Sequence, residues 1–207
     1  PEMAGDVLTI AHQDVSVTVS EVFGASSTAL EGVTVYLFSS SGSYLGIKRT
    51  TDAAGAVSFS LPEQEYEVRA DYRRKKFWSG GFNPLSDRDV AVDIASGYAG
   101  IHVTEDGADK VDVPVYLFTE AGSYLGSMLR TDSAGEAFFL LPEGAYKFRV
   151  DANGSQYWSD VVNIIAHEET SVALPLDLLA LQLTNDPSPD RFDGTPPPFE
   201  PEPVLLA

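Results

Sequence analysis

The chain has no cysteine, and only 13 of its 207 residues are Lys or Arg, against 31 Asp or Glu. The first absence removes disulfide scaffolds, zinc fingers, thiol nucleophiles and Cys-ligated iron–sulfur clusters. The second leaves a formal net charge of −18 and a pI near 4.3. That balance argues against nucleic acid as a partner, because a duplex-binding surface needs clustered cations over the phosphates. Histidine is scarce, and His12, His102 and His167 fall in no metal-ligand spacing. No apolar run approaches the ~20 residues of a membrane-spanning helix. Gly-x-Ser-x-Gly, His-Glu-x-x-His and phosphate-loop patterns are missing too. With 43% apolar and 21% charged residues, the chain can build packed cores. It shows no catalytic motif, and no enzyme activity is expected.

What is present is an internal duplication, the signal to find before any element is assigned. Val35-Tyr36-Leu37-Phe38 recurs as Val115-Tyr116-Leu117-Phe118, and Gly42–Gly46 as Gly122–Gly126. Residues 35–79 align with 115–159 at an offset of 80 without a gap, with 22 identities in 45 positions. Upstream, Val17 and Val19 align with Ile101 and Val103 at an offset of 84, so the first copy carries a longer loop around Gly24–Gly32. Downstream, Val92 and Ile94 are matched to Val172 and Leu174. The expected organisation is an N-terminal extension at 1–14, one repeat at 15–95, a second at 96–174, and an apolar strand plus Pro-rich tail at 175–207.

Each repeat reads as short strands punctuated by turns. Val15–Val19, Tyr66–Ala70 and Tyr146–Val150 alternate apolar and polar, the period of a strand with one buried face, and Val57–Leu61 and Ala137–Leu141 also read as strands. Pro114 suggests that Val113–Phe118 lies at an edge or begins at a bulge. In Thr51-Asp52-Ala53-Ala54-Gly55 and Thr131-Asp132-Ser133-Ala134-Gly135 the Asp can accept from backbone amides ahead of it and the Gly can take a positive φ. No segment sustains a 3.6-residue apolar period. About seven short strands in about 80 residues predict an all-β chain of two tandem β-sandwiches.

The order strand, Thr-Asp-x-x-Gly, Phe, Leu-Pro-Glu-Gly-x-Tyr, alternating strand resembles the carboxypeptidase-regulatory-like and collagen-adhesin B-type modules of bacterial surface proteins, best over Thr131–Arg149. The resemblance implies prealbumin-like or Ig-like sandwiches strung in tandem on an extracellular or cell-surface protein. Many adhesin modules of this type carry a first-strand Lys joined to a late-strand Asn through an isopeptide bond. Here the first strands hold no Lys; Lys110 and Asn163 are a candidate pair only in the second copy.

Four groups of residues stand out as candidate sites. Glu105, Asp106 and Asp109 put carboxylates close enough to suggest calcium, although the 12-residue loop with its final Glu is absent. No other cofactor is expected. Trp78 and Trp158, flanked by Phe77 and Tyr157 and joined by Tyr44 and Tyr124, are a candidate sugar platform. Their recurrence at one offset favours packing in a core or between domains instead. Arg73-Arg74-Lys75-Lys76 holds four of the 13 cations, reads as a hairpin tip, and is either a solvated turn or an electrostatic contact with an acidic neighbour. Asn153-Gly154-Ser155, its counterpart, is an N-glycosylation sequon.

The ends do not repeat. Leu176, Leu178, Leu179, Leu181 and Leu183 would be costly to leave in water, at roughly 1.5–3 kcal/mol for each Leu that could be buried. Of the 13 prolines, eight lie in residues 175–207, a stretch that favours extended backbone. Phe192, Phe199, Val204, Leu205 and Leu206 are its anchors. These residues are the candidate assembly segment, docking on the chain's own domain or on another chain as an added strand. The chain begins with Pro1 and has no charged-plus-apolar leader, which points to a processed protein or a piece of a longer one. The expected function is that of a non-catalytic structural or adhesion subunit of a surface filament, with other copies or neighbouring surface proteins as partners. The alternative is a carbohydrate-binding or spacer module of a larger secreted protein, meeting polysaccharide.

Overall fold

The computed structural model describes residues 10–176. They form sixteen strands and no helix. Most of the N-terminal extension expected at 1–14 lies outside the described residues.

In the first half, β1 (His12–Phe23) pairs antiparallel with β5 (Ala56–Pro62) and β2 (Ser26–Ala29), and parallel with the beginning of β8 (Asp89–Glu105). A second sheet runs β4 (Tyr44–Thr50), β3 (Thr34–Ser39), β6 (Tyr66–Tyr72), β7 (Lys75–Trp78). Val15, Val17, Val19, Val35, Leu37, Phe59, Tyr66, Val68, Val92 and Ile94 close the core between them. The second half repeats the plan. The later part of β8 pairs with β12 (Glu136–Pro142), β16 (Glu169–Pro175) and the short β9 (Ala108–Asp109). Facing them are β11 (Tyr124–Arg130), β10 (Pro114–Thr119), β13 (Gly144–Ala152), β14 (Ser155–Trp158) and β15 (Val162–Ile164). Ile101, Val115, Leu117, Phe139, Leu141, Tyr146, Phe148 and Ile164 are in this second, separate core. Pro114 is the first residue of β10, a position that proline tolerates even in an inner strand.

The turn motif works as its residues suggest. Asp52 Oδ1 accepts from the amides of Ala54 and Ala56, both at 2.9 Å, and Asp132 does the same for Ala134 and Glu136 at 2.8 and 3.0 Å. Thr51 and Thr131, 4% exposed, each accept one backbone amide and donate to one carbonyl, tying the long loop to the turn. Gly55 and Gly135 take φ of +71° and +70° against the carbonyls of Val19 and Val103.

The expected boundary between residues 95 and 96 falls inside one uninterrupted strand. Strand β8 leaves the first sandwich and enters the second with no linker. Its buried positions are even-numbered through Val90, Val92, Ile94 and Ser96, then odd-numbered at Gly97, Ala99, Ile101 and Val103. The flip at Ser96-Gly97 re-aims the strand from one core to the next. One sequence match also shifts. Leu174 and Leu176 pair with the second sandwich as Val92 and Ile94 pair with the first, an offset of 82 rather than 80. The second copy therefore has two extra residues before its last strand.

Gly97 carries a testable consequence. A Cβ there would lie 2.2 Å from the Ile165 carbonyl oxygen and 2.8 Å from that of Glu168, so backbone must move. Gly97→Ala is expected to destabilise the chain by about 1–3 kcal/mol in urea unfolding. Gly80→Ala, where a Cβ meets nothing within 4 Å, is the control expected to change little.

Candidate functional site

The outer face of the β4–β3–β6–β7 sheet carries a cross-strand row that the duplication repeats. Register sets Trp78 opposite Arg69 and Arg69 opposite Tyr36. The Arg69 guanidinium carbon lies 4.7, 5.2 and 5.7 Å from the ring centres of Tyr36, Phe38 and Trp78. In the second sandwich Arg149 lies 5.0, 5.0 and 5.6 Å from Tyr116, Phe118 and Trp158. Asp71 receives Arg69 through two bonds of 2.7 and 3.0 Å, and Asp151 takes Arg149 Nη2 at 2.9 Å. Trp78 packs on Phe38, and Trp158 on Phe118, at 4.7 Å between ring centres. Tyr44 and Tyr124 flank them at 5.5 and 5.4 Å from the same Phe rings.

The packing role expected for the tryptophans is thus corrected. Trp78 and Trp158 are 46% and 44% exposed, in neither a core nor a contact between sandwiches. They cap an arginine–aromatic row on an open sheet face. An open depression of about 480 Å³ adjoins Trp158, lined also by Glu120, Gly122, Lys147 and Ser159. Composition did not single out Arg69 and Arg149. Their identity at the offset of 80, with Asp71 and Asp151 two residues on, was the available signal.

The basic run forms the β6–β7 hairpin tip, as its position suggested. Its neighbour is the second sandwich of the same chain. Lys75 Nζ donates to the Glu143 carbonyl and lies 4.8 Å from the Tyr146 ring centre. Arg73 packs on Tyr72 at 5.1 Å, and its charge acts on Glu21. Arg74 and Lys76 are exposed. Around this contact Phe23 meets Tyr98 edge-on at 4.9 Å, Ser96 Oγ faces Glu21 at 3.5 Å, and the Gly24 amide donates to His167 Nδ1 at 3.0 Å. Glu21 is 5% exposed. Burial pushes its carboxyl above the ordinary range, while the Arg73 charge and bonds from Tyr72 and Ser96 pull the other way. Burial likewise raises the Tyr146 phenol and lowers Lys75.

The calcium candidates do not converge. Glu105 pairs with Lys110 and receives a bond from Asn153, and these hydrogen bonds hold its carboxyl below the usual range. Asp109 meets His102 Nε2 at 2.8 Å, and Asp106 sits in a turn at φ +52°. Among the described residues no group of three or more His, Cys, Asp or Glu could hold a metal ion. Lys110, engaged by Glu105, is not in contact with Asn163, which is exposed on β15. Leu176 is corrected from an assembly residue to a core residue: it is 2% exposed in the second core, where Ile94 sits in the first. Leu178, Leu179, Leu181, Leu183, Phe192, Phe199, Val204, Leu205 and Leu206 lie outside the described residues. No helix among the described residues is long and apolar enough to cross a membrane.

No family model and no curated protein matches the chain. Among solved structures it is similar to the Bacillus anthracis TIE protein, at 17% identity over 80% of this chain with a TM-score of 0.32; it spans 34% of that protein's length. It is also similar to a minor pilin of Streptococcus agalactiae, at 17% identity over 79% of this chain and 94% of that one, TM-score 0.39. The shaft pilin SpaA of Lactobacillus rhamnosus GG gives 11% identity over 80% and 97% of the two chains, TM-score 0.38.

Glu21 yields a pH prediction. Its folded value lies above the unfolded one of about 4.3, so the folded state holds the proton more tightly. Its contribution to stability is full below the unfolded value and falls as pH rises through the folded one. Glu21→Gln should therefore raise the thermal midpoint at pH 7, with the gain shrinking towards pH 4 when both proteins are scanned across that range.

Proposed function

We propose that the chain is a non-catalytic structural subunit of an extracellular or cell-surface filament or adhesin. The observation that carries this reading is β8, which belongs to both sandwiches and leaves no hinge loop between them. Such a connection suits a part that sets spacing and bears load along its strands. Association with other copies or neighbouring surface proteins is assigned to residues 177–207. The acceptor is a sheet edge, such as β4, whose seven residues are all exposed and include Tyr44, Leu45 and Ile47. An unpaired apolar edge is a template for an added strand.

One observation favours a second reading, a carbohydrate-binding spacer: two half-exposed Trp side chains recur in the same setting, one per sandwich. Aromatic faces suit the apolar faces of sugar rings. Polysaccharide titration would then change Trp fluorescence, Trp78→Ala and Trp158→Ala would each reduce that change, and the double variant would abolish it.

The assembly reading is tested by truncation after Leu176, which keeps the second core intact. The shortened chain is expected to sediment as a folded monomer while the full chain associates. Equal association of both, or none by either, overturns the assignment.

A further inference from the structure

We infer that the Arg73–Lys75 tip is a key that fits one acceptor, the Glu143–Tyr146 turn of the second sandwich, and so fixes how the two sandwiches are turned about their shared strand. A single strand is one attachment and leaves torsion about its axis free. Attachments away from that axis remove it, and the Gly24 amide bonded to His167 Nδ1 at 3.0 Å is one of them, made at the β1–β2 turn. Lys75 supplies another, from the opposite sheet, by donating to the Glu143 carbonyl while its ammonium lies 4.8 Å from the Tyr146 ring centre.

Each half of the contact departs from the repeat at one position that touches, Lys75 on the tip and Gly144 on the acceptor, while Glu143 and Tyr146 recur as Glu63 and Tyr66. Arg73 and Arg74 hold φ of +47° and +63°, backbone that such residues rarely adopt. The same two-residue turn in the second sandwich is Asn153-Gly154, the pair best suited to it. Strained backbone persists where surrounding contacts over-determine it, and here the tip is held against the neighbouring sandwich. The acceptor is equally specific. Gly144 has φ +140°, and a Cβ on it would lie 2.0 Å from Lys75 Nζ. The first sandwich keeps the tyrosine, Tyr66, but carries Gln64 where Gly144 stands, and the second carries Ser155 where Lys75 stands. Key and acceptor therefore each occur once among the described residues, in the order first sandwich then second. The inference is independent of the proposed function.

The two tryptophans, one per sandwich, give the test. In the full chain, Trp158→Phe leaves Trp78 to report the first sandwich, and Trp78→Phe leaves Trp158 to report the second. With the key intact, both reporters should share one urea midpoint. Lys75→Ala should separate the midpoints, each transition having about half the original denaturant slope, because that slope follows the surface exposed. Gly144→Gln should do the same, and Lys76→Ala, on the exposed side of the tip, should not. Lys75→Ala is the deciding variant, since Gly144→Gln also strains its own turn. Coincident midpoints in Lys75→Ala, separated midpoints in the parent, or separation in Lys76→Ala as well would each overturn the inference.

Discussion

A single strand passing through two cores is the constraint on which the rest depends. Strand β8 ends one sandwich and begins the next, and side chains on a strand alternate between faces. To supply both cores, the alternation must change phase where the strand crosses. It does so at Ser96-Gly97, two consecutive buried residues. The crossing passes so close to the Ile165 and Glu168 carbonyls that glycine is the residue that fits. The amides of Tyr98 and His167 are satisfied there by the carbonyls of Glu168 and Ser96, so both stay paired where the chain changes partners.

Around that strand, the identities and the differences between the repeats do separate work. The identities build each sandwich: the Asp-capped turns, the buried threonines, and the arginine–aromatic rows. On an open face an arginine over aromatic rings contributes about 0.5–1 kcal/mol. Asp71 and Asp151 anchor the guanidinium across neighbouring residues of one strand. The differences build the contact between sandwiches. Lys75 against Ser155, Gly144 against Gln64 and Phe23 against Gly107 are positions where one copy meets the other and its equivalent does not.

Glu21 and Glu105 show what environment does to equivalent carboxylates. They are equivalent at the offset of 84, Glu21 two residues before the end of β1 and Glu105 at the end of β8. Glu21 is covered by the second sandwich and titrates high; Glu105 has no sandwich beyond it among the described residues, pairs with Lys110, and titrates low. Residue type is shared, but burial raises the Glu21 carboxyl while hydrogen bonds from Lys110 and Asn153 lower that of Glu105.

The all-β class, the duplication, the strands with alternating pattern and the Thr-Asp-x-x-Gly turns were legible in the sequence, because each rests on local periodicity or on side chains that bond to backbone a few residues away. The tertiary structure alone decided what depends on residues far apart in the chain. It placed Trp78 and Trp158 outside rather than in a core, since a strand pattern does not say which face the opposite sheet covers. It shifted the last strand by two residues and buried Leu176, since parallel register is set by the β8 partner and not by sequence similarity. It turned the basic run towards Glu143 and Tyr146 of its own chain, since a charge cluster shows that a contact is favoured and only the fold shows which surface is within reach.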